Sequence, residues 1–83
     1  MYLHLGNNII VPEKDIIGIF DMDNTTVSRH TRKYLAQSTK HQEIVNVSEE
    51  LPKSFVVCVQ NGKKRVYISQ LSPKTLKLRA LLV

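Results

Sequence analysis

The sequence is poor in the residues that build metal centres, disulfide frameworks and phosphate-binding glycine loops. Its 83 residues include one cysteine, three scattered glycines and three separated histidines. One cysteine excludes an intrachain disulfide, and the histidines lack the spacing of zinc ligands. No serine stands in a nucleophile elbow, and no helix-turn-helix, zinc-finger or RNA-binding aromatic motif is evident. We therefore expect no metal, no cofactor and no small-molecule substrate.

Long apolar runs and a leader are missing as well. No apolar run approaches the roughly 20 residues that span a bilayer. The N-terminal MYLHLGNNIIV lacks a basic segment and a small-residue cleavage site, so we expect neither a signal peptide nor a membrane partner. The lone Cys58 lies in an apolar run. These features predict a cytoplasmic protein with a buried thiol.

The sequence has instead an excess of positive charge in a small, aliphatic-rich chain. Twelve lysines and arginines against seven acids give a formal net charge of +5. Such a charge favours polyanionic partners. The length predicts one domain over residues 1–83, and a domain this short buries only roughly 60% of its unfolded surface. Self-association would add to its modest stability.

Alternating and apolar segments predict several short strands. Residues 2–5 and 9–11 flank a turn signal and predict a small hairpin. Ile16–Phe20 predicts a third strand, interpreted as the central one, in which Gly18 implies a bulge or a close neighbour. Residues 44–47 predict a fourth strand. The unbroken run Phe55–Val59 predicts a strand that is covered on both faces, and Asn61-Gly62 a type I′ hairpin turn after it.

Two helices complete the predicted fold. Ser72 and Pro73 indicate the start of a short C-terminal helix, whose apolar side enters the core or meets another copy; we favour the core. From about Thr26 to Thr39 the spacing predicts a longer, amphipathic helix. No acid occurs between Asp23 and Glu43 to neutralise its outer face. An ordinary solvated face is the alternative to a functional one. One side of this helix holds Val27, Thr31, Tyr34, Leu35 and Ser38, and the opposite side holds Arg29, Arg32, Lys33, Ala36 and Lys40.

The junction FDMDNT resembles the first motif of the haloacid-dehalogenase-like phosphohydrolases. In that family, Asp21 would attack a phosphoryl group, Asp23 would handle the leaving-group proton, and both would help hold Mg²⁺. The other interpretation is a strand end followed by a helix cap at Asp23, Asn24 or Thr25. No acid after Asp23 ends an apolar strand where the metal site would need it. We expect capping, and no enzyme activity.

Across nearly its whole length the chain resembles the small bacterial extracellular-matrix regulators of the RemA and RemB family, and the RemB branch more closely. The segments that carry the resemblance are YLHLGNNIIV, DIIGIFDMDNTTVS, PKSFVVCVQ and VYISQLSPKTLKLRA, in the same order. The resemblance implies a LytTR-like α+β fold with a small, mainly antiparallel sheet. It also implies a cytoplasmic regulator of biofilm-matrix genes that assembles into rings and binds double-stranded DNA on the outside.

One departure bears on DNA binding. In RemA-like sequences an Arg-Arg pair before the long apolar strand is tied to DNA contact, but the matching positions here are about Leu51 and Pro52. A further basic position matches Asp15, with Lys14 adjacent. The basic surface would therefore have moved, DNA binding would be weaker, or the protein would act by another route, as an oligomeric scaffold without direct DNA binding. The candidate DNA-binding residues are Arg29, Arg32, Lys33, Lys53, Lys63, Lys64 and Arg65.

Overall fold

The structure is a computed structural model that describes residues 2–22 and 29–81, the side chains of residues 29–31 and 81 excepted. Six strands and two α-helices lie in this part of the chain, which confirms the predicted α+β class. The strands are β1 (Tyr2–Gly6), β2 (Ile9–Pro12), β3 (Ile16–Asp21), β4 (Ile44–Asn46), β5 (Ser54–Gln60) and β6 (Lys63–Ser69). The helices are α1 (Arg29–Lys40) and α2 (Pro73–Leu81), and Glu13–Asp15 forms a 3-10 turn.

A four-stranded sheet in the order β3-β5-β6-β4 carries the fold. β5 pairs antiparallel with β3 and β6, whereas β4 runs parallel to β6. β1 and β2 form a separate antiparallel hairpin. The predicted central position of Ile16–Phe20 is wrong, because β3 lies at an edge of the sheet. β5 occupies a central position instead. Its side chains from Ser54 to Cys58 are all buried, so it can be covered on both faces.

Two local predictions about backbone geometry are confirmed. Asn61 and Gly62 both have positive φ, 52° and 78°, as a type I′ turn requires. In β3, the register against β5 shifts between Ile16 and Gly18. A Cβ atom at Gly18 would also lie 2.8 Å from the ring of Phe20. Gly18 therefore marks a bulge and accommodates a close aromatic neighbour.

The two faces of the sheet bury different clusters, and β5 contributes to both. Val56 and Cys58, with no exposed surface, join the cluster beneath the β1–β2 hairpin and α2. Phe55 and Val57 join the cluster beneath α1. This alternation confirms that the apolar run is covered on both faces. α1 and α2 consequently lie on opposite sides of the sheet.

The C-terminal helix begins and packs as predicted. The Ser72 hydroxyl accepts a hydrogen bond from the Thr75 N–H at 3.1 Å, and Pro73 is the first helical residue. Leu76 is fully buried in the cluster that also contains Leu3 and residues of β5. The apolar side of this helix thus enters the core of its own chain. Neither helix in the described part of the chain is long and apolar enough to cross a membrane.

Burial makes the stability of the fold sensitive to alkaline pH through Cys58. Burial and then the Asp15 charge raise the pKa of the thiol from 9.0 to about 11. The unfolded chain therefore loses this proton before the folded chain does. We expect the thiol's contribution to the free energy of unfolding to be intact below pH 9 and to fall by about 1.4 kcal/mol per pH unit as the pH rises towards 11.

Urea unfolding of the wild type and of Cys58→Ala between about pH 8 and pH 10 isolates this contribution from the other groups that titrate there. The wild type should lose stability relative to the variant as the pH rises. A difference between the two proteins that stays constant with pH would contradict the prediction.

Candidate nucleic-acid interface

Exposed cations lie along the outer side of α1, as the helical spacing predicts. Arg32 and Lys33 are exposed, whereas Tyr34 and Leu35 are half-buried and Ser38 is buried. No residue from 29 to 40 is acidic, so the helix itself contributes only positive charge to this side. α1 therefore presents a basic surface to solvent on the side that faces away from the sheet.

An aromatic stack holds α1 in this position. Phe20 and Phe55 pair across β3 and β5 with ring centroids 5.0 Å apart, and Tyr34 of α1 lies 6.5 Å from Phe55. Leu35 and Tyr34 also pack against the cluster that contains Val66. These contacts turn Tyr34 and Leu35 towards the sheet, and Arg32 and Lys33 lie on the side that faces solvent.

The predicted cap of α1 and the side chain of its first predicted cation lie outside the described residues. Asp23, Asn24 and Thr25 lie outside the described residues, so the capping prediction remains a prediction. Arg29 begins the described part of α1, but its side chain also lies outside what is described. Its assignment to DNA binding rests on helical spacing alone.

Lys64 is engaged within the protein and is a poor candidate for contact with DNA. Its Nζ lies 3.3 Å from a carboxylate oxygen of Glu43 and 4.5 Å from the centroid of the Tyr34 ring. Partial desolvation lowers the pKa of Lys64, but the hydrogen bonds and charges of Glu43 and Tyr34 outweigh it and leave the pKa above its usual value. The first acid after the basic helix therefore neutralises a predicted site residue, because folding brings residue 43 beside residue 64.

The three consecutive cations of β6 do not lie on one face of the sheet. Side chains alternate along a strand, so Lys64 shares its face with Val66 and α1. Lys63 and Arg65 belong to the opposite face, the one that carries Tyr67, and both are exposed. The sequence run KKR therefore divides into one internally paired lysine and two exposed cations.

A shallow cleft of about 320 Å³ lies where the end of α1 meets the β5–β6 hairpin. Cationic side chains outnumber acidic ones in its lining, so the cleft can receive a backbone phosphate better than it can receive a cation. The negative end of the α1 dipole and the carboxylate of Glu43 reduce that preference. The lining consists of His41, Gln42, Glu43, Gly62, Lys63, Lys64 and Arg65.

A tight helix end shapes this cleft. The Glu43 N–H donates to the Ser38 carbonyl at 2.9 Å and the Gln42 N–H to the Thr39 carbonyl at 3.0 Å, with Gln42 at φ 59°. These bonds form a Schellman motif, with glutamine in the left-handed position that glycine usually takes. The motif turns the chain into β4, where the Glu43 carbonyl accepts the Val66 N–H at 2.8 Å. The end of α1 is thereby joined to the basic hairpin.

Lys53 lies away from this cleft. Its N–H donates to the Ser69 carbonyl and its carbonyl accepts the Met22 N–H, both at 2.9 Å, so it stands where β5 begins. The hairpin cations stand at the other end of β5, roughly 20 Å away at strand spacing. Lys53 and the exposed Lys63 therefore cannot share one phosphate.

Other polar regions are less suited to nucleic acid. Asp21 ends an edge strand with an antiparallel neighbour, which is not the parallel sheet that the phosphohydrolase interpretation requires. Among the described residues, no group of three or more acidic, histidine or cysteine side chains can hold a metal ion. A larger groove of about 810 Å³ includes Glu49 and Glu50 in its lining and would repel a phosphate.

Residue-by-residue reasoning on the sequence missed His41 as part of the basic cleft and missed the exposed pair Lys74 and Lys77. The end of the helix and the glycine turn were each visible in the sequence. The parallel pairing of β4 with β6 that brings them together was not. Lys74 and Lys77 lie on α2, on the side of the sheet opposite α1. They carry charge but cannot join the α1 face within one protomer.

Comparison with known proteins gives the family. Residues 2–80 match the model of the RemA-like family, described as extracellular matrix regulatory protein A-like. The chain is also 42% identical over 80 residues to extracellular matrix regulatory protein B of Bacillus subtilis (strain 168), a match that covers 96% of this chain and 90% of that protein. The extent of the match agrees with the sequence resemblance. The chain belongs to the RemA-like family of extracellular matrix regulatory proteins, and it is similar to the RemB branch.

Proposed function

We propose that this protein is a non-enzymatic DNA-binding regulator of extracellular-matrix genes. In this proposal it acts in the cytoplasm as a ring-like homo-oligomer of LytTR-like protomers with a basic outer surface. The observation that carries the proposal is the exposed position of Arg32 and Lys33 on α1, a helix whose own residues 29–40 include no acid, in a chain of net charge +5. Family membership supports the link to matrix regulation.

The charge distribution favours contact with the phosphate backbone over contact with base edges. α1 presents the adjacent exposed cations Arg32 and Lys33, which suit phosphates and DNA shape. One protomer offers only a few such contacts, too few for tight binding at physiological salt. A ring would multiply them through effective concentration without new contacts on any protomer. Oligomerisation and DNA binding are therefore parts of one mechanism.

Salt dependence tests the proposal directly. In a titration of the wild-type protein against duplex DNA, the logarithm of the binding constant should fall linearly with the logarithm of salt concentration. The slope should be about −0.9 per phosphate neutralised. The magnitude of the slope should exceed what the cations of one protomer can supply. Sedimentation should show a multimer on the DNA. Absence of binding at low salt, or a flat salt dependence, would refute DNA binding.

An oligomeric scaffold that binds a partner protein is the second candidate. Leu51, where the resemblance places a DNA-contacting arginine, is apolar and 79% exposed. Lys64, a predicted phosphate contact, is paired with Glu43 instead. Affinity capture with the tagged protein after nuclease treatment distinguishes the scaffold from the DNA-binding regulator. A scaffold retains its partner protein after the nuclease, whereas a DNA-binding regulator loses the proteins that were held through DNA.

A further inference from the structure

The layer formed by the β1–β2 hairpin and α2 contributes only positive charge to the side of the sheet opposite α1. None of residues 2–12 or 73–81 is aspartate or glutamate. Lys74 and Lys77 of α2 are exposed, and within the described part of the chain neither lysine pairs with a carboxylate. Glu13, the first acid after the hairpin, is half-buried, with one carboxylate oxygen out of solvent.

Large apolar side chains are exposed on the same layer. Tyr2 is 61% exposed, Ile10 58% and Leu78 52%. Alternation along β1 places Tyr2 on the same face as His4. His4 lies opposite Ile10 in the register of the hairpin, so these side chains share its outer face. Apolar side chains grouped within a basic surface are typical of a protein interface and not of an ordinary solvated face.

Arg79 joins the outer face of the hairpin to α2. Its Nη1 lies 3.2 Å from Nδ1 of His4 and donates a hydrogen bond to the His4 carbonyl at 3.4 Å. On α2, Lys74 and Leu78 are four residues apart and lie on one side, while Leu76 faces the core. Through Arg79 the two elements form one surface, which we call the hairpin–α2 surface. It consists of Tyr2, Ile10, Lys74, Lys77, Leu78 and Arg79.

We propose that the hairpin–α2 surface binds a segment of a partner protein that carries both acidic and apolar side chains. Carboxylates of the segment would complement Lys74 and Lys77. Apolar side chains of the segment would cover Tyr2, Ile10 and Leu78. The net charge of +5 makes a second basic protein an unfavourable partner. Binding of this segment requires no DNA, so the inference goes beyond the proposed function and does not depend on it.

Two other anionic partners fit this surface less well. Phosphates of DNA gain little from exposed apolar side chains. A helix that lies on a membrane inserts its apolar side into the lipid, but that side of α2 already packs in the core through Leu76 and Ala80. An acidic protein segment uses both the cations and the apolar side chains. It would also leave α1 accessible on the other side of the sheet.

A synthetic peptide tests the proposal. The probe is a fluorescein-labelled peptide with leucines at helical spacing among glutamates, and its control has serine in place of each leucine. Fluorescence anisotropy with the full chain, in the absence of DNA, should show tighter binding of the leucine peptide. Equal binding of the two peptides, or no binding of the leucine peptide, would overturn the proposal. So would binding to phosphatidylglycerol vesicles in preference to the leucine peptide.

Apolar substitutions locate the contact. Ile10→Ser combined with Leu78→Ser leaves the net charge unchanged and should weaken binding of the leucine peptide by roughly tenfold. Leu51→Ser is the matched control, because Leu51 is 79% exposed outside this surface. An unchanged far-UV circular dichroism spectrum verifies the fold of each variant. A control that lost as much affinity as the double variant would count against the hairpin–α2 surface.

Charge substitutions test the same surface without altering its apolar side chains. Lys74→Ala with Lys77→Ala should lower the affinity for the leucine peptide more than Arg32→Ala with Lys33→Ala, which removes the same net charge from α1. Equal losses would mean that the overall charge holds the peptide, and the proposal would be wrong. If the wild type bound no DNA while this ranking held, the DNA proposal would fail and the hairpin–α2 surface would stand.

Discussion

Replacing Arg32 and Lys33 together by alanine should weaken DNA binding and flatten its salt dependence. Both side chains are exposed on α1, and the half-buried Tyr34 and Leu35 keep them turned towards solvent. If each cation neutralises one phosphate, the slope of log K against log salt should become less steep by about 1.8 for each protomer in contact. Fluorescence anisotropy at four salt concentrations gives that slope.

The matched control for this prediction is Lys74→Ala with Lys77→Ala. These two exposed lysines lie on α2, across the sheet from α1, so the control removes the same net charge from the other side of the protomer. The control should leave most of the slope in place. Equal losses in both variants would mean that the overall charge, and not the face of α1, determines binding.

Truncation of Leu76 to alanine should be the most destabilising single change in α2. Leu76 has no exposed surface and packs in the cluster with residues of β1, β2 and β5. Removal of a fully buried leucine typically costs about 2–5 kcal/mol, including the cavity left behind. A domain of this size has a total stability on the order of 4–12 kcal/mol, so the loss is a large fraction of it. Urea unfolding followed by circular dichroism measures the change.

Leu78→Ala is the control for that prediction, because Leu78 is on the same helix and is 52% exposed. Leu78→Ala removes the same atoms as Leu76→Ala, but from a surface that faces solvent. The loss in the free energy of unfolding should therefore stay below about 1 kcal/mol. If Leu76→Ala were as mild as Leu78→Ala, α2 would not be docked on the core as described. A variant too unstable to purify would be compared through its melting temperature in the presence of a stabilising osmolyte.

Much of the local structure was predictable because its signals lie within a few residues. Asn61-Gly62 dictates a type I′ turn through positive φ at both positions, and Ser72 and Pro73 start a helix through capping and a fixed φ. The exposed positions of Arg32 and Lys33 followed from helical spacing. Each of these features depends on the chain's own neighbours, and no distant pairing was needed to predict it.

The strand order was not predictable in the same way. Ile16–Phe20 looked like a central strand because its composition is as apolar as that of β5, yet it lies at an edge with Ile17 exposed. Composition states how much a strand can bury, whereas its place in a sheet depends on which pairings the loops allow and which faces the helices cover.

The sequence by itself determined the family, the α+β class, the two-sided burial of β5 and the basic outer face of α1. Only the tertiary structure decided which cations remain available. Parallel pairing of β4 with β6 brings Glu43 beside Lys64 and neutralises it, while strand alternation sends Lys63 and Arg65 to the other face. The physical reason is that charge pairing acts over a few ångströms in space, and residues 21 positions apart reach that distance only after the chain has folded.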